Sequence, residues 1–105
     1  MRCLRIAAAA IPLLAATTAL AQGNDANLMR SIAASCANCH GSNGVSVGNV
    51  PSLAGTAKSD LVTKMQEFKA GKRTGTIMPQ LAKGYTDAQI ELAAGWFAAQ
   101  PVPSK

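Results

Sequence analysis

The chain has 105 residues, with ten Lys+Arg, five Asp+Glu, one His and three Cys, and a formal net charge of +5 at pH 7. That length allows one small domain and argues against two, and aromatics at 4% are too few for a large self-sufficient core. One histidine excludes any paired-histidine metal site, and three cysteines exclude a disulfide-dense scaffold.

Residues 1–21 read as a targeting segment. Arg2 and Arg5 form a positive start, Ile6 to Leu20 an apolar Ala-rich run, and Ala19-Leu20-Ala21 an A-x-A cleavage site. The run is shorter than the roughly 20 residues of a spanning helix, so a cleaved signal is expected rather than a retained membrane anchor. Cys3 leaves with it. The expected mature domain, 22–105, has 84 residues and a net charge of +3. A domain of that size buries only about 60–65% of its unfolded surface. Its two cysteines, Cys36 and Cys39, point to something bound there as the staple.

The elements follow in chain order. Asn24 or Asp25 is expected to cap a first helix through Leu28, Met29, Ile32 and Ala33 into Cys36. Residues 41–57 hold four glycines and a proline and predict a loop. Ser59 is expected to cap a second helix with the stripe Leu61, Met65 and Phe68, ended by Gly71. A second irregular stretch, 72–85, surrounds Met78-Pro79, where the proline should keep Met78 extended. Thr86 with Gln89 forms a capping box before a last helix bearing Ile90, Ala93, Ala94 and Phe97, which Pro101 and Pro103 stop. The expected fold is all-α, with three main helices, two long loops and no sheet.

Cys36-Ala37-Asn38-Cys39-His40 is a C-x-x-C-H run, the attachment pattern of a c-type haem. Two thiols three residues apart on a helical turn can reach the two vinyl groups on one porphyrin edge, and the next residue brings its imidazole under the iron. A thioredoxin-like pair would need a βαβ setting, a structural zinc site needs four ligands, and a plain disulfide would not account for His40. With His40 as proximal ligand and no second histidine, a thioether is the expected distal ligand. Met29 lies on the proximal helix and Met65 belongs to an apolar stripe. Met78, in a loop able to cross the distal face, is the favoured ligand, with an open or water-bound iron as the alternative.

C-A-N-C-H-G at 36–41, P-S-L-A-G at 51–55 and a Met-bearing segment before a C-terminal amphipathic helix resemble class I (mitochondrial-type) cytochromes c. The resemblance covers essentially residues 24–100. It implies a helical fold around one covalent haem c, with His40 Nε2 and Met78 sulfur on iron. It also implies that the Pro51 carbonyl accepts the His40 Nδ1 proton, fixing the ring. The runs 61–74 and 77–90 are similar to the small cytochrome subunit of flavocytochrome c sulfide dehydrogenase, and related c553-type and dihaem c4-type cytochromes share much of them. One C-x-x-C-H matches the monohaem versions of that subunit.

Lys58, Lys64, Lys69, Lys72, Arg73 and Lys83 fall within 26 residues. They read either as a solvated face or as a basic collar that steers an acidic redox partner. Export and the lack of interleaved aromatics disfavour nucleic acid. Val45, Val47, Val50, Ile77 and Leu81 are expected to line the haem and leave an apolar patch at its edge. Trp96 is expected to pack in the haem pocket or at an interface, and Tyr85 either to pack on Ile90 or to donate to a haem propionate. The reading is a periplasmic carrier of single electrons, not an enzyme by itself. Its expected setting is as the cytochrome subunit that accepts electrons from a flavoprotein in a sulfide dehydrogenase. The alternatives are a diffusible carrier to a terminal oxidase or other reductase, and a ligand-sensing cytochrome.

Overall fold

A computed structural model describes the backbone of residues 16–104 and the side chains of 25–104. Arg2, Cys3, Arg5 and most of the expected signal sequence lie outside the described residues. The described residues form four α-helices and one 3-10 turn and contain no strand, the all-α class that the sequence predicts. They are α1 (Ala16–His40), the 3-10 turn Ser42–Gly44, α2 (Lys58–Lys69), α3 (Met78–Ala82) and α4 (Asp87–Ala98).

Three local expectations are corrected. The backbone is helical straight through Asn24 and Asp25, so neither caps α1. A cap contributes only about 1 kcal/mol, and the Ala-rich residues before it favour continuing the helix. Helix α2 begins at Lys58, one residue before the expected cap Ser59. Ala57 is its N-cap, and no side chain caps it. Asp60 in the first turn compensates in part, placing a carboxylate against the positive end of the helix. Met78 is not extended, because it is the first residue of the fourth, short helix α3. Pro79 disfavours helix at the residue before it, but within a first turn its missing N–H costs nothing, and the Ile77 carbonyl accepts from the amides of Gln80 and Leu81, both at 3.0 Å.

The remaining punctuation follows the sequence. Gly71 (φ +71°) ends α2 in a Schellman turn: Lys72 N–H donates to Glu67 O at 2.8 Å and Gly71 N–H to Phe68 O at 3.1 Å. The capping box of α4 is complete, with Gln89 N–H on Thr86 Oγ1 at 3.2 Å and Thr86 N–H on Gln89 Oε1 at 2.9 Å.

Helix α4 is the hub, packed on both α1 and α2, and α3 packs on α2. Ala33 of α1, Leu61 of α2, and Ala94 and Phe97 of α4 form the buried cluster. The alanines let the helix axes come close, and Phe97 fills the gap at their junction. The 41–57 loop is held to this frame by its backbone. The Gly44 carbonyl accepts from Leu53 and Ala54 N–H at 2.7 and 3.1 Å, and Gly55 N–H donates to Phe97 O at 2.9 Å.

Candidate haem site

The last turn of α1 carries the C-x-x-C-H run. Residues three apart share a helix face, so Cys36 and Cys39 lie along one side, with His40 ending the helix. Both thiols are free. Cys36 is part-buried against the Ala33–Leu61–Ala94–Phe97 cluster, and Cys39 is exposed. Burial pushes the Cys36 thiol up from its usual range.

His40 is the one polar side chain buried among the described residues, at 9% exposure. Its Nδ1 lies 2.6 Å from the Pro51 carbonyl oxygen. That oxygen can only accept, so Nδ1 carries the proton and Nε2 keeps a lone pair for a metal. Two glycines shape the bend that brings Pro51 back. Gly41 has φ +85°, its N–H closes the helix on Ala37 O at 2.9 Å, and a Cβ there would run into the Val45 carbonyl. Gly44 has φ +78°, and its Cβ would stand 2.6 Å from Phe97 Cδ1 and 2.9 Å from Ala54 N. The glycine after the histidine is thus set by backbone crowding, which a motif alone does not reveal.

Met78 lies on a separate segment, as the part-buried first residue of α3. The residues beside it face outward: Ile77 is 55% and Leu81 45% exposed, and across the 41–57 loop Val47 and Val50 are exposed too. Val45, from the same expected set, is half-buried. These side chains, the free thiols and the imidazole lone pair fit a large flat apolar macrocycle with an iron centre. Among the described residues only eight apolar residues are buried, four of them alanines, so such a group would complete the core.

The expected basic collar is half neutralised. Lys58 pairs with Glu91 at 2.8 Å, Lys69 with Asp87 at 2.9 Å and Arg73 with Glu67 at 2.7 Å. Arg73 also lies 5.6 Å from the Phe68 ring centroid. Lys64, Lys72 and Lys83 have no ion pair among the described residues. Trp96 is part-buried against the core cluster and lines a shallow groove with Arg30, Ala33, Ala37 and Asn43. The Tyr85 hydroxyl meets Ser35 Oγ of α1 at 2.9 Å, a contact outside both expected roles, and its carbonyl accepts from Lys69 Nζ at 2.8 Å. Sequence reasoning missed this contact because Ser35 and Tyr85 are 50 residues apart, and neither sits in a motif.

A helical domain with a single C-x-x-C-H at the end of its first helix defines a c-type cytochrome. The chain belongs to the cytochrome c family, whose model matches residues 29–96. It is a monohaem electron-transfer protein of class I type, its cofactor is covalent haem c, and Cys36 and Cys39 stand at the spacing that attachment uses. It is 44% identical over 63 residues to the cytochrome subunit of sulfide dehydrogenase of Chlorobaculum tepidum, a match covering 60% of this chain and 57% of that protein. The thiosulfate dehydrogenase electron acceptor of Thiomonas intermedia is 39% identical over 75 residues, covering 67% of this chain and 35% of that protein. Cytochrome c4 of Pseudomonas aeruginosa is 38% identical over 77 residues, covering 72% and 38%. The chain thus spans between about a third and just over half the length of these relatives. No helix among the described residues is long and apolar enough to cross a membrane.

Proposed function

We propose that this cytochrome works in the periplasm as the haem subunit of a flavin-dependent sulfide dehydrogenase, taking single electrons from a flavoprotein. The haem is bound through Cys36 and Cys39, with His40 Nε2 and the Met78 thioether on iron. The bound haem supplies the reversible one-electron chemistry. The chain supplies ligation, orientation and exclusion of water. Pro51 holds the His40 ring in one orientation and raises its basicity through Nδ1, and the thioether favours the ferrous state. The 2.6 Å contact of His40 with Pro51 is the observation that supports this ligation most directly. The segment ending at Ala21 is read as the export signal that carries the chain to its site of haem attachment. The likeness to the Chlorobaculum tepidum subunit supports the flavoprotein partner.

A second reading, a diffusible carrier, is favoured by the Thiomonas intermedia relative named as the electron acceptor of thiosulfate dehydrogenase. Gel filtration of the holoprotein with its native extract at low salt and at about 0.5 M salt separates the two, because surface steering is screened over roughly 4 Å at the higher ionic strength. A flavoprotein that co-elutes at both salt concentrations supports the subunit. A monomer whose electron-transfer rate falls steeply with salt supports the carrier.

A further inference from the structure

We propose that Tyr85 is a positioning residue for the Met78 thioether, acting as a strap between the Met78 segment and the helix that carries the attachment cysteines. This rests on the reading of Met78 as the distal ligand. Helix α3 has five residues, too short to hold itself in place. Its one buried residue is Ala82, at 0% exposure, while Ile77 and Leu81, four residues apart on one face, are exposed. A single small side chain offers a pivot but does not fix rotation about it.

The segment is fixed at its far end. Gly84 N–H donates to Leu81 O at 3.0 Å and Tyr85 N–H to Ala82 O at 3.3 Å, so hydrogen-bonded turns link the end of α3 to Tyr85. Tyr85 is then held in two directions. Its carbonyl accepts from Lys69 Nζ of α2, which also pairs with Asp87 Oδ1 at 2.9 Å. Its hydroxyl meets Ser35 Oγ of α1 at 2.9 Å. Ser35 Oγ already gives its single proton to Ile32 O at 2.6 Å, so the tyrosine hydroxyl must be the donor. Ser35 directly precedes Cys36. The strap therefore ties the segment that begins at Met78 to the helix end bearing Cys36, Cys39 and His40.

Loosening it should let the thioether leave the iron more often without changing the other ligand. The test is imidazole binding to the ferric holoprotein, read with the far-red sulfur–iron absorption band. Tyr85→Phe and Ser35→Ala should each tighten apparent imidazole binding about three- to tenfold, the range that one neutral hydrogen bond carries. The double variant should go no further than either single, and Ser35→Thr, which keeps the hydroxyl, should restore wild-type affinity. In a Met78→Ala background Tyr85→Phe should change nothing. Unchanged imidazole affinity with only a lower thermal midpoint, or an equal shift in the Met78→Ala background, would overturn the strap and leave the ligand assignment standing. A wild-type protein without the far-red band, with imidazole affinity indifferent to Met78→Ala, would overturn both.

Discussion

The frame of α1, α2 and α4 and the two segments 41–57 and 70–86 are held by different forces. In the frame, side chains decide: Ala33, Leu61, Ala94 and Phe97 are buried against one another, and each helix is fixed by the face it hides. In the two segments backbone hydrogen bonds set the path, pinned by single side chains such as Tyr85. Gly44 O collects two amides, Gly71 closes a Schellman turn, and Val47, Val50, Ile77 and Leu81 remain exposed. A surface of protein atoms that leaves its branched aliphatic residues outward on both segments is shaped to be covered. The frame can be read as an ordinary small helical core, whereas the segments leave branched aliphatic residues that the protein's own atoms do not cover.

The largest break in this comparison comes from removing the cofactor's attachment. The Cys36→Ala/Cys39→Ala double variant should release its haem to acid acetone, and the polypeptide should lose cooperative thermal unfolding by circular dichroism. Among the described residues the frame buries only six apolar residues, and so small a domain lacks the core to fold alone. A haem-free double variant that melts cooperatively would show that the frame is self-sufficient.

Next comes the iron. Met78→Ala should abolish the far-red band, admit cyanide or carbon monoxide and lower the reduction potential. Met65→Ala, in the half-buried stripe of α2, should leave all three close to wild type while lowering the thermal midpoint. The reverse pattern would move the ligand from a segment to the frame.

Glycine substitutions sharpen the contrast further. Gly44 and Gly71 have nearly equal positive φ, +78° and +71°. A Cβ at Gly44 would press on Phe97 and the Ala54 amide, whereas at Gly71 nothing lies within 4 Å. Gly71→Ala should cost about 1–2 kcal/mol, the left-handed strain alone. Gly44→Ala should cost about 2–5 kcal/mol, with overpacking added. Denaturant midpoints measure both, and equal losses would mean that the loop end yields without disturbing Phe97.

The smallest effect concerns pH. The Gln66 amide, and then Lys69, hold the Asp87 carboxyl below its ordinary value. A depressed carboxylate contributes stability above its unfolded pKa and loses it as pH falls through the folded value. Asp87→Asn should therefore lower the thermal midpoint slightly at neutral pH. The gap to wild type should close below about pH 4, near and beneath the free carboxylate value. A gap that persists in acid would assign the loss to packing rather than charge.

Much of this protein is local and was therefore legible. The C-x-x-C-H spacing needs only one helical turn, the Thr86–Gln89 box lies within four residues, and Gly71 stops a helix by its own φ. The stripe Leu61, Met65 and Phe68 marks the half-buried face of α2 by period alone. Where local preference misled, the energies involved were small. A cap of about 1 kcal/mol at Asn24 or Asp25 yields to a helix that continues through it, and Pro79 is tolerated in the first turn of α3. Only the tertiary structure could decide which partners meet across the chain. Lys58 finds Glu91, Lys69 finds Asp87, and Tyr85 crosses 50 residues to Ser35. Such contacts depend on how α4 seats on α1 and α2. That seating is set by the summed fit of alanines and Phe97, a quantity that no single segment of sequence contains.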